Sequence, residues 1–191
     1  MKNSILFLLF LTVTVSFKTI TPTAKNPIDK SDFSTQFKLV VEAAKKRFAF
    51  EMGASQSSTD DNYKKKYATT IPFKNATVSL LVDQSDLLTY QIIYPFDAAT
   101  LDEAKSVKKE VADLVKTLLP SDYKTYSTYV AGYAGYMTEM FEYNSDIFAE
   151  VSKRPVVRVG IILLSEGKYN LEVIVSEPVF KTSERPNQEK K

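Results

Sequence analysis

The stretch VVRVGIILLSEGKYNLEVIV, residues 156–175, contains two apolar runs separated by the turn sequence Ser-Glu-Gly. Aliphatic and β-branched residues dominate both runs, and Gly167 occupies the loop position that favours a left-handed backbone. Pairing across a three-residue loop predicts three apolar cross-strand pairs on one face: Leu163 with Tyr169, Ile161 with Leu171, and Val159 with Val173. The residues predicted on the other face are Arg158, Asn170 and Glu172. The stretch therefore predicts an antiparallel hairpin with one apolar face.

A second hairpin is predicted upstream, in ATVSLLVDQSDLLTYQIIYPF, residues 76–96. Apolar residues alternate with polar ones before the turn sequence Asp-Gln-Ser-Asp and share one face after it. The residues expected on the apolar faces of the two strands are Val78, Leu80, Val82, Leu88, Tyr90, Ile92 and Tyr94. A shorter strand from Tyr67 to Ile71 is left open, and Pro72 would end it.

The first of two amphipathic helices is predicted to begin at Ser31 or Asp32 and to stop at Gly53. Its apolar residues recur at helical spacing: Phe33, Phe37, Val40, Val41, Ala44, Phe48 and Met52. The polar residues 54–62 are typical of a flexible loop, and the lysines of YKKKY, residues 63–67, are interpreted as a solvated loop beside it.

The second helix is predicted from a capping box, in which Thr100 caps the first turn and Glu103 follows three residues later. Pro120 ends it. The apolar stripe consists of Leu101, Ala104, Val107, Val111, Leu114, Val115 and Leu118. The lysines assigned to its solvated face are Lys105, Lys108, Lys109 and Lys116.

The tyrosine-rich sequence YSTYVAGYAGYMTEMFEY, residues 126–143, fits two periodicities. As part of one long helix over 123–152, it would place aromatic residues on one side and acidic residues on the other. Tyrosine, threonine and valine favour strands, however, and the glycines of Ala-Gly-Tyr-Ala-Gly disfavour a helix. We therefore predict two strands, over 123–130 and 136–143, and keep the long helix as the alternative.

The second of these strands mixes glutamates with aromatic side chains, a composition that suits a strand near a sheet edge. An edge strand with aromatic residues is also a place where a protein partner could add a strand. The candidate partner contacts are Tyr136, Phe141 and Tyr143.

Together these elements predict an α+β fold with two layers, in which two helices pack on one face of an antiparallel sheet. The predicted order is α-β-β-α-β-β-β, and the sequence shows no internal repeat. A two-layer fold of this kind leaves the other face of the sheet uncovered.

Residues 1–24 have the layout of a secretory signal peptide, with one early lysine followed by an apolar run from Ile5 to Phe17. The run is shorter than the roughly 20 residues of a membrane span. A short N-terminal anchor is the alternative, and a lipid anchor is excluded because the chain has no cysteine. We expect an exported protein (periplasmic or secreted), with one domain over 25–180, a polar, disordered tail over 181–191 and no stable membrane span after cleavage.

The charge balance gives no support for nucleic-acid binding. Loss of residues 1–24 removes two of the 25 basic residues, which balances the 23 acidic ones. Nucleic-acid recognition requires a concentrated positive surface instead.

The absence of histidine and cysteine removes the usual zinc and copper ligands and every catalytic arrangement that depends on either residue. Neither a GxxxxGK[ST] nor a GxGxxG phosphate-binding sequence is present. No cofactor, metal site or catalytic residue is therefore predicted. Two functional classes follow: a non-catalytic protein-binding module that uses the exposed sheet face or an edge strand, or a small-ligand protein or enzyme with a carboxylate and tyrosine pocket between sheet and helices.

Overall fold

The computed structural model describes residues 24–49, 51–56, 63–121, 123–130, 138–144 and 154–178, and only the backbone within 126–130 and 138–144. The prediction of an α+β fold with helices on an antiparallel sheet is confirmed. In chain order, the elements are α1 (Lys30–Lys45), β1 (Met52–Gln56), β2 (Tyr63–Thr69), β3 (Thr77–Asp83), β4 (Leu88–Asp97), α2 (Leu101–Leu118), β5 (Lys124–Val130), β6 (Thr138–Asn144), β7 (Val156–Ser165) and β8 (Lys168–Ser176).

The strands form one eight-stranded antiparallel sheet in the order β1-β2-β3-β4-β8-β7-β6-β5. Four strands precede α2 and four follow it; the predicted order counted two and three, although the two tyrosine-rich strands and the last hairpin already make four after α2. Residues 54–56 and 63–67 are strand rather than loop. Both segments escaped prediction because their sequences, MGASQ and YKKKYAT, have almost no apolar alternation.

The order of elements repeats, although the sequence does not. Each half of the chain is one helix followed by four strands that pair with their neighbours in sequence, and the halves join where β4 pairs with β8 at the centre of the sheet. The outermost strands of the sheet are therefore β1 and β5, the first strand of each half.

Both predicted hairpins are confirmed, and so are the cross-strand pairs predicted for the second. Leu80 lies opposite Tyr90 in β3–β4, and Ile161 lies opposite Leu171 in β7–β8. The loop of the second hairpin is shorter than predicted, because Ser165 pairs with Lys168 after a register shift. Gly167 has the expected positive φ, +72°.

The tyrosine-rich region contains the two predicted strands, and the single long helix is wrong. β5 and β6 pair along their whole length, from Lys124 opposite Asn144 to Val130 opposite Thr138. The predicted turn between them lies outside the described residues, as do Tyr136, which was predicted to begin the second strand, and the segment 145–153.

Helix α1 is shorter than predicted at its C-terminal end. The Asp29 carboxylate caps it by accepting hydrogen bonds from the Ser31 and Asp32 amides. The helix ends at Lys45, and Arg47 and Phe48 then adopt left-handed conformations with φ of 57° and 50°. Phe48 was predicted to be part of the apolar stripe of the helix. It is buried in the core, but it reaches the core from this turn and not from the helix. Two other residues assigned to this helix and its end, Met52 and Gly53, belong to β1 instead.

Helix α2 follows its predicted capping. The Thr100 hydroxyl accepts a hydrogen bond from the Glu103 amide at 3.2 Å, and the Glu103 carboxylate accepts one from the Ala99 amide at 2.8 Å. The assignment of Lys108 to the solvated face is wrong, since this lysine is buried. The buried side of α2 is wider than the apolar stripe, because it also includes Ala112, one turn further on.

Apart from Leu101 of α2, which is exposed, both helices direct their stripes into one core with the sheet face that carries Tyr90, Ile92 and Tyr94. Aromatic rings fill much of this space: Phe33 stacks on Phe37 with centroids 5.3 Å apart. The centre of the opposite face is also buried, at positions that include Leu81, Glu172 and Ile174. An uncovered sheet face is therefore not available at the centre of the sheet.

Candidate partner-binding edge

The predicted contact residues do not lie on an edge strand. Phe141 and Tyr143 belong to β6, which lies between β5 and β7. Phe141, for example, is paired with Ser127 on one side and with Val159 on the other. A partner cannot add a strand to a backbone that is already paired on both sides. The placement of these residues on an edge strand is wrong, because the strand order depends on the pairing of β6 with β7, which is distant in sequence. The contact of Phe141 and Tyr143 with a partner stays a prediction.

Strand β1 is an edge of the sheet with exposed side chains. All five of its residues are exposed, and none carries a charge. Among the described residues, its only paired strand is β2. The register shifts between Met52 and Ser55, so the strand carries one irregularity, and no other described strand pairs with its outer side. Unpaired N–H and C=O groups on such an edge are a template for another strand.

A small groove lies at the corner where α1 approaches this end of the sheet. It has a volume of about 220 Å³ and a mixed lining, apolar at Leu39, Ala43, Ala49 and Ile71 and charged at Glu42, Lys46 and Glu51. Leu39 is 52% exposed, the highest value among the exposed large apolar residues of the described chain. Leu39 lies outside the predicted apolar stripe, and Ile71 comes from a distant part of the sequence, so only the apolar character of Leu39 could have marked the groove.

Lysines lie at both ends of the β1–β2 pair: Lys46 lines the groove together with Glu42 and Glu51, and Lys66, preceded by Lys65, pairs with Gln56 at the other end. Lys45 binds Glu42 at 2.5 Å and Lys64 binds Asp86 at 3.1 Å. Within the described part of the chain, Lys46, Lys65 and Lys66 form no ion pair.

The buried face opposite the helices contains one carboxylate in its centre. Gln91 donates a hydrogen bond to Glu172 at 2.6 Å, and Thr89 and Ser176 share a buried hydroxyl contact at 3.1 Å nearby on the same two strands. Burial raises the pKa of the Glu172 carboxyl, while the hydrogen bond from Gln91 and the charge of Arg158 act in the opposite direction. Folding therefore disfavours the charged form of Glu172 relative to the unfolded chain.

Glu172→Gln is expected to stabilise the protein at neutral pH. Above the ordinary pKa of 4.5, the unfolded chain releases a proton that folded Glu172 retains, so the stability of the wild type falls as the pH rises. This loss of stability reaches its full size above the raised pKa of Glu172 in the folded state. Urea unfolding at several pH values should show a flatter profile for the variant. Exposed Glu166→Gln is the control, and identical profiles for Glu172→Gln and the wild type would contradict the expectation.

The predicted pocket of carboxylates and tyrosines is part of the packed core. Burial raises the pKa of Tyr90 to about 12, and it raises the pKa of Tyr94 even further, with Asp32 adding to the shift. Both phenols therefore stay protonated near neutral pH. The nearby carboxylates are used structurally: Asp32 accepts a hydrogen bond from the Lys74 amide and Asp29 one from the Lys74 ammonium, both at 2.9 Å.

Tyr90→Phe is expected to cost about 1–2 kcal/mol of stability, because the Tyr90 hydroxyl contacts the Thr69 hydroxyl at 2.7 Å and donates to the Ile71 carbonyl. Tyr94→Phe is the matched control. Its hydroxyl has no hydrogen bond to another described residue, so its removal should change stability by less than about 0.5 kcal/mol. Denaturant unfolding compares the two, and equal losses would show that the Tyr90 hydrogen bonds contribute nothing specific.

A second, more open cleft of about 770 Å³ lies at one end of the β4–β8 pair and is bordered by residues 24–27. Lys168 binds Asp97 at 2.7 Å on its wall, and Asn26 donates to Glu110 of α2 at 3.1 Å. Its lining mixes both signs of charge and gathers no set of groups suited to a particular reaction.

The described ranges contain no group of three or more acidic, histidine or cysteine side chains that could hold a metal ion. None of the helices described has the length and apolar character required to cross a membrane.

Comparison with protein-family models, curated proteins and solved structures found no match for this chain. Its function is therefore inferred from the residues and geometry of the molecule itself.

Proposed function

We propose that this chain is an exported, non-catalytic binding protein that holds a protein partner through edge strand β1. The observation that carries the proposal is the exposure of all five uncharged β1 residues at the end of an eight-stranded sheet. Natural proteins protect such edges with charges, short edge strands or β-bulges. β1 is short and carries a register shift, but it has no charge, and an uncharged edge suits a surface that is covered by a partner.

The chemistry of strand addition fits this corner. Main-chain hydrogen bonds to β1 would supply affinity, and a neighbouring pocket would supply selectivity for side chains. Leu39 and Met52 are both exposed beside that edge, and the groove next to Leu39 is lined mainly by small or apolar residues. Apolar side chains that project from a partner would be desolvated here.

The alternative of a small-ligand protein or enzyme has less support. The space between helices and sheet is filled by aromatic and aliphatic side chains, and the tyrosines within it are held in protonated form. The open cleft bordered by residues 24–27 is the surface that this alternative would have to use.

Export is the second part of the proposal, and the signal-peptide layout of residues 1–24 supports it. Ile28 is the first residue of the described chain that is buried in the core, so a cut before Asn26 preserves the packed domain. Mass spectrometry of protein from the native host should find a mature chain that begins between Phe17 and Asn26. An intact Met1 in a cytosolic fraction would overturn the export proposal.

Photo-crosslinking in the native host tests the binding surface. A photoreactive amino acid in place of exposed Ala54 on β1 should give a discrete adduct with a partner protein. The same amino acid at exposed Ser106 on α2 is the matched control, and at Tyr143 it tests the contact predicted from the sequence. No adduct at Ala54, or the same adducts at Ser106, would contradict the proposed function.

A further inference from the structure

We infer that Asn75 is an acceptor for N-linked glycosylation, so that the exported protein carries an oligosaccharide on this side chain. The inference rests on the export part of the proposed function, because this modification belongs to the surfaces of exported proteins. Its basis is the coincidence of an acceptor sequence, Asn-Ala-Thr at 75–77, with an exposed turn at the asparagine.

The acceptor sequence requires an asparagine followed two residues later by serine or threonine, with any residue except proline between them. Asn75 is the only one of the seven asparagines of the chain that meets this requirement. A match of three residues carries little information by itself, so the structural context decides whether the asparagine can serve as an acceptor.

The asparagine lies in a tight turn that the rest of the fold holds in place. The Ala76 amide donates to the Phe73 carbonyl at 3.3 Å, which closes a turn with Lys74 and Asn75 as its central residues. Phe73 is buried in the core, and the Lys74 amide donates to Asp32 of α1 at 2.9 Å. Asn75 has a φ of 63°, a left-handed conformation that asparagine adopts more readily than most residues.

Both side chains that the modification requires are accessible. Asn75 and Thr77 are exposed, and neither side chain forms a hydrogen bond with another described residue. A left-handed turn accounts for the asparagine, and the start of β3 accounts for the threonine. Only the modification, however, uses the two residues together at this spacing.

The reaction is the transfer of an oligosaccharide from a lipid diphosphate donor to the side-chain amide. The Asn75 Nδ2 attacks the anomeric carbon of the first sugar, and an N–C bond forms while the bond from that carbon to the diphosphate oxygen breaks. The lipid diphosphate leaves with the electron pair of the broken bond, and the amide proton passes to a base of the transferase. The step therefore needs no oxidant or reductant, and the chain supplies only the acceptor sequence.

An oligosaccharide on Asn75 would cover part of the open cleft of about 770 Å³, because Asn75 lines that cleft together with residues 24–27. Glycans are bulky and surround themselves with water. The modification would therefore obstruct the surface that a small-ligand function would have to use. The described lining of the cleft includes no residue of β1, the strand proposed to bind the partner.

Intact-mass measurement of the protein purified from the native host tests the inference. We expect a mass above that of the mature polypeptide, and this excess should disappear after treatment with a peptide N-glycosidase. Thr77→Ala should abolish the excess mass while Asn75 stays in its turn, whereas Thr77→Ser preserves the acceptor sequence and should retain it. Asn170→Gln, at an asparagine outside any acceptor sequence, is the matched control and should also retain it.

The outcomes separate this inference from export. An unmodified Asn75 on a chain that begins between Phe17 and Asn26 would overturn the inference and leave export standing. An unmodified Asn75 on a chain that retains Met1 would overturn both. Excess mass that persists in Thr77→Ala, or that peptide mapping places on another residue, would overturn the assignment to Asn75.

Discussion

Phe37→Ala is expected to lower the free energy of unfolding by about 3–5 kcal/mol, the range found for large core truncations. The Phe37 side chain is fully buried in the layer between α1 and the sheet, and it stacks on Phe33 at an interplanar angle of 18°. Truncation removes the favourable free energy of burying a phenyl ring, and it also removes the contacts of that ring with its neighbours. The surrounding rings belong to fixed helix and strand positions, so they cannot collapse fully into the space.

Leu39→Ala is the matched control for this measurement, since it is a truncation on the same helix only two residues away. Leu39 is exposed, so its loss should change stability by less than about 0.5 kcal/mol. Denaturant unfolding of both variants gives the comparison. A loss below about 1 kcal/mol for Phe37→Ala would mean that the stripe of α1 does not pack as a rigid core.

The parts of the fold that could be predicted from the sequence are those with strong local signals. The β7–β8 hairpin combines an alternating apolar face with Gly167 at a turn, so its register follows from counting outward from that turn. Helix α2 combines an amphipathic stripe with the capping pair Thr100 and Glu103. In both cases, several independent local features point to the same structure.

Edge strand β1 could not be predicted, because a strand that buries little needs no apolar alternation. β1 is fully exposed, and its sequence MGASQ reads as a loop. Its strand conformation depends on pairing with β2, which in turn depends on the position of β3. The candidate site could not be predicted for the same reason, since its groove combines Leu39, Ala49 and Ile71 from three separate segments.

The end of α1 shows how a correct pattern can give a wrong boundary. Phe48 lies at the helical spacing and is buried, yet it reaches the core through a left-handed turn. That turn is fixed by a long-range interaction, because Arg47 binds Glu177 at the far end of β8, 130 residues away. Nothing local to the sequence of α1 indicates that partner.

Arg47→Ala is accordingly expected to cost about 2–3 kcal/mol of stability. The Arg47 Nε donates to Glu177 at 2.7 Å, and the Leu88 amide donates to the same carboxylate at 3.0 Å. Glu177 is buried, so loss of the guanidinium leaves a carboxylate away from water with only a backbone partner. Removal of one partner from a fully buried ion pair costs about 3–5 kcal/mol, and the lower value here reflects the 22% exposure of the Arg47 side chain.

The substitution must be alanine rather than glycine, because Arg47 has a φ of 57° and glycine would relieve that strain and hide part of the loss. Glu177→Gln in the Arg47→Ala background should recover much of the stability, since the neutral amide needs no cation and its oxygen still accepts from Leu88. Lys46→Ala, at the exposed neighbouring position, controls for loss of a positive charge. If Lys46→Ala and Arg47→Ala cost the same, or if Glu177→Gln recovers nothing, then the turn after α1 is held by packing of Phe48 rather than by this ion pair.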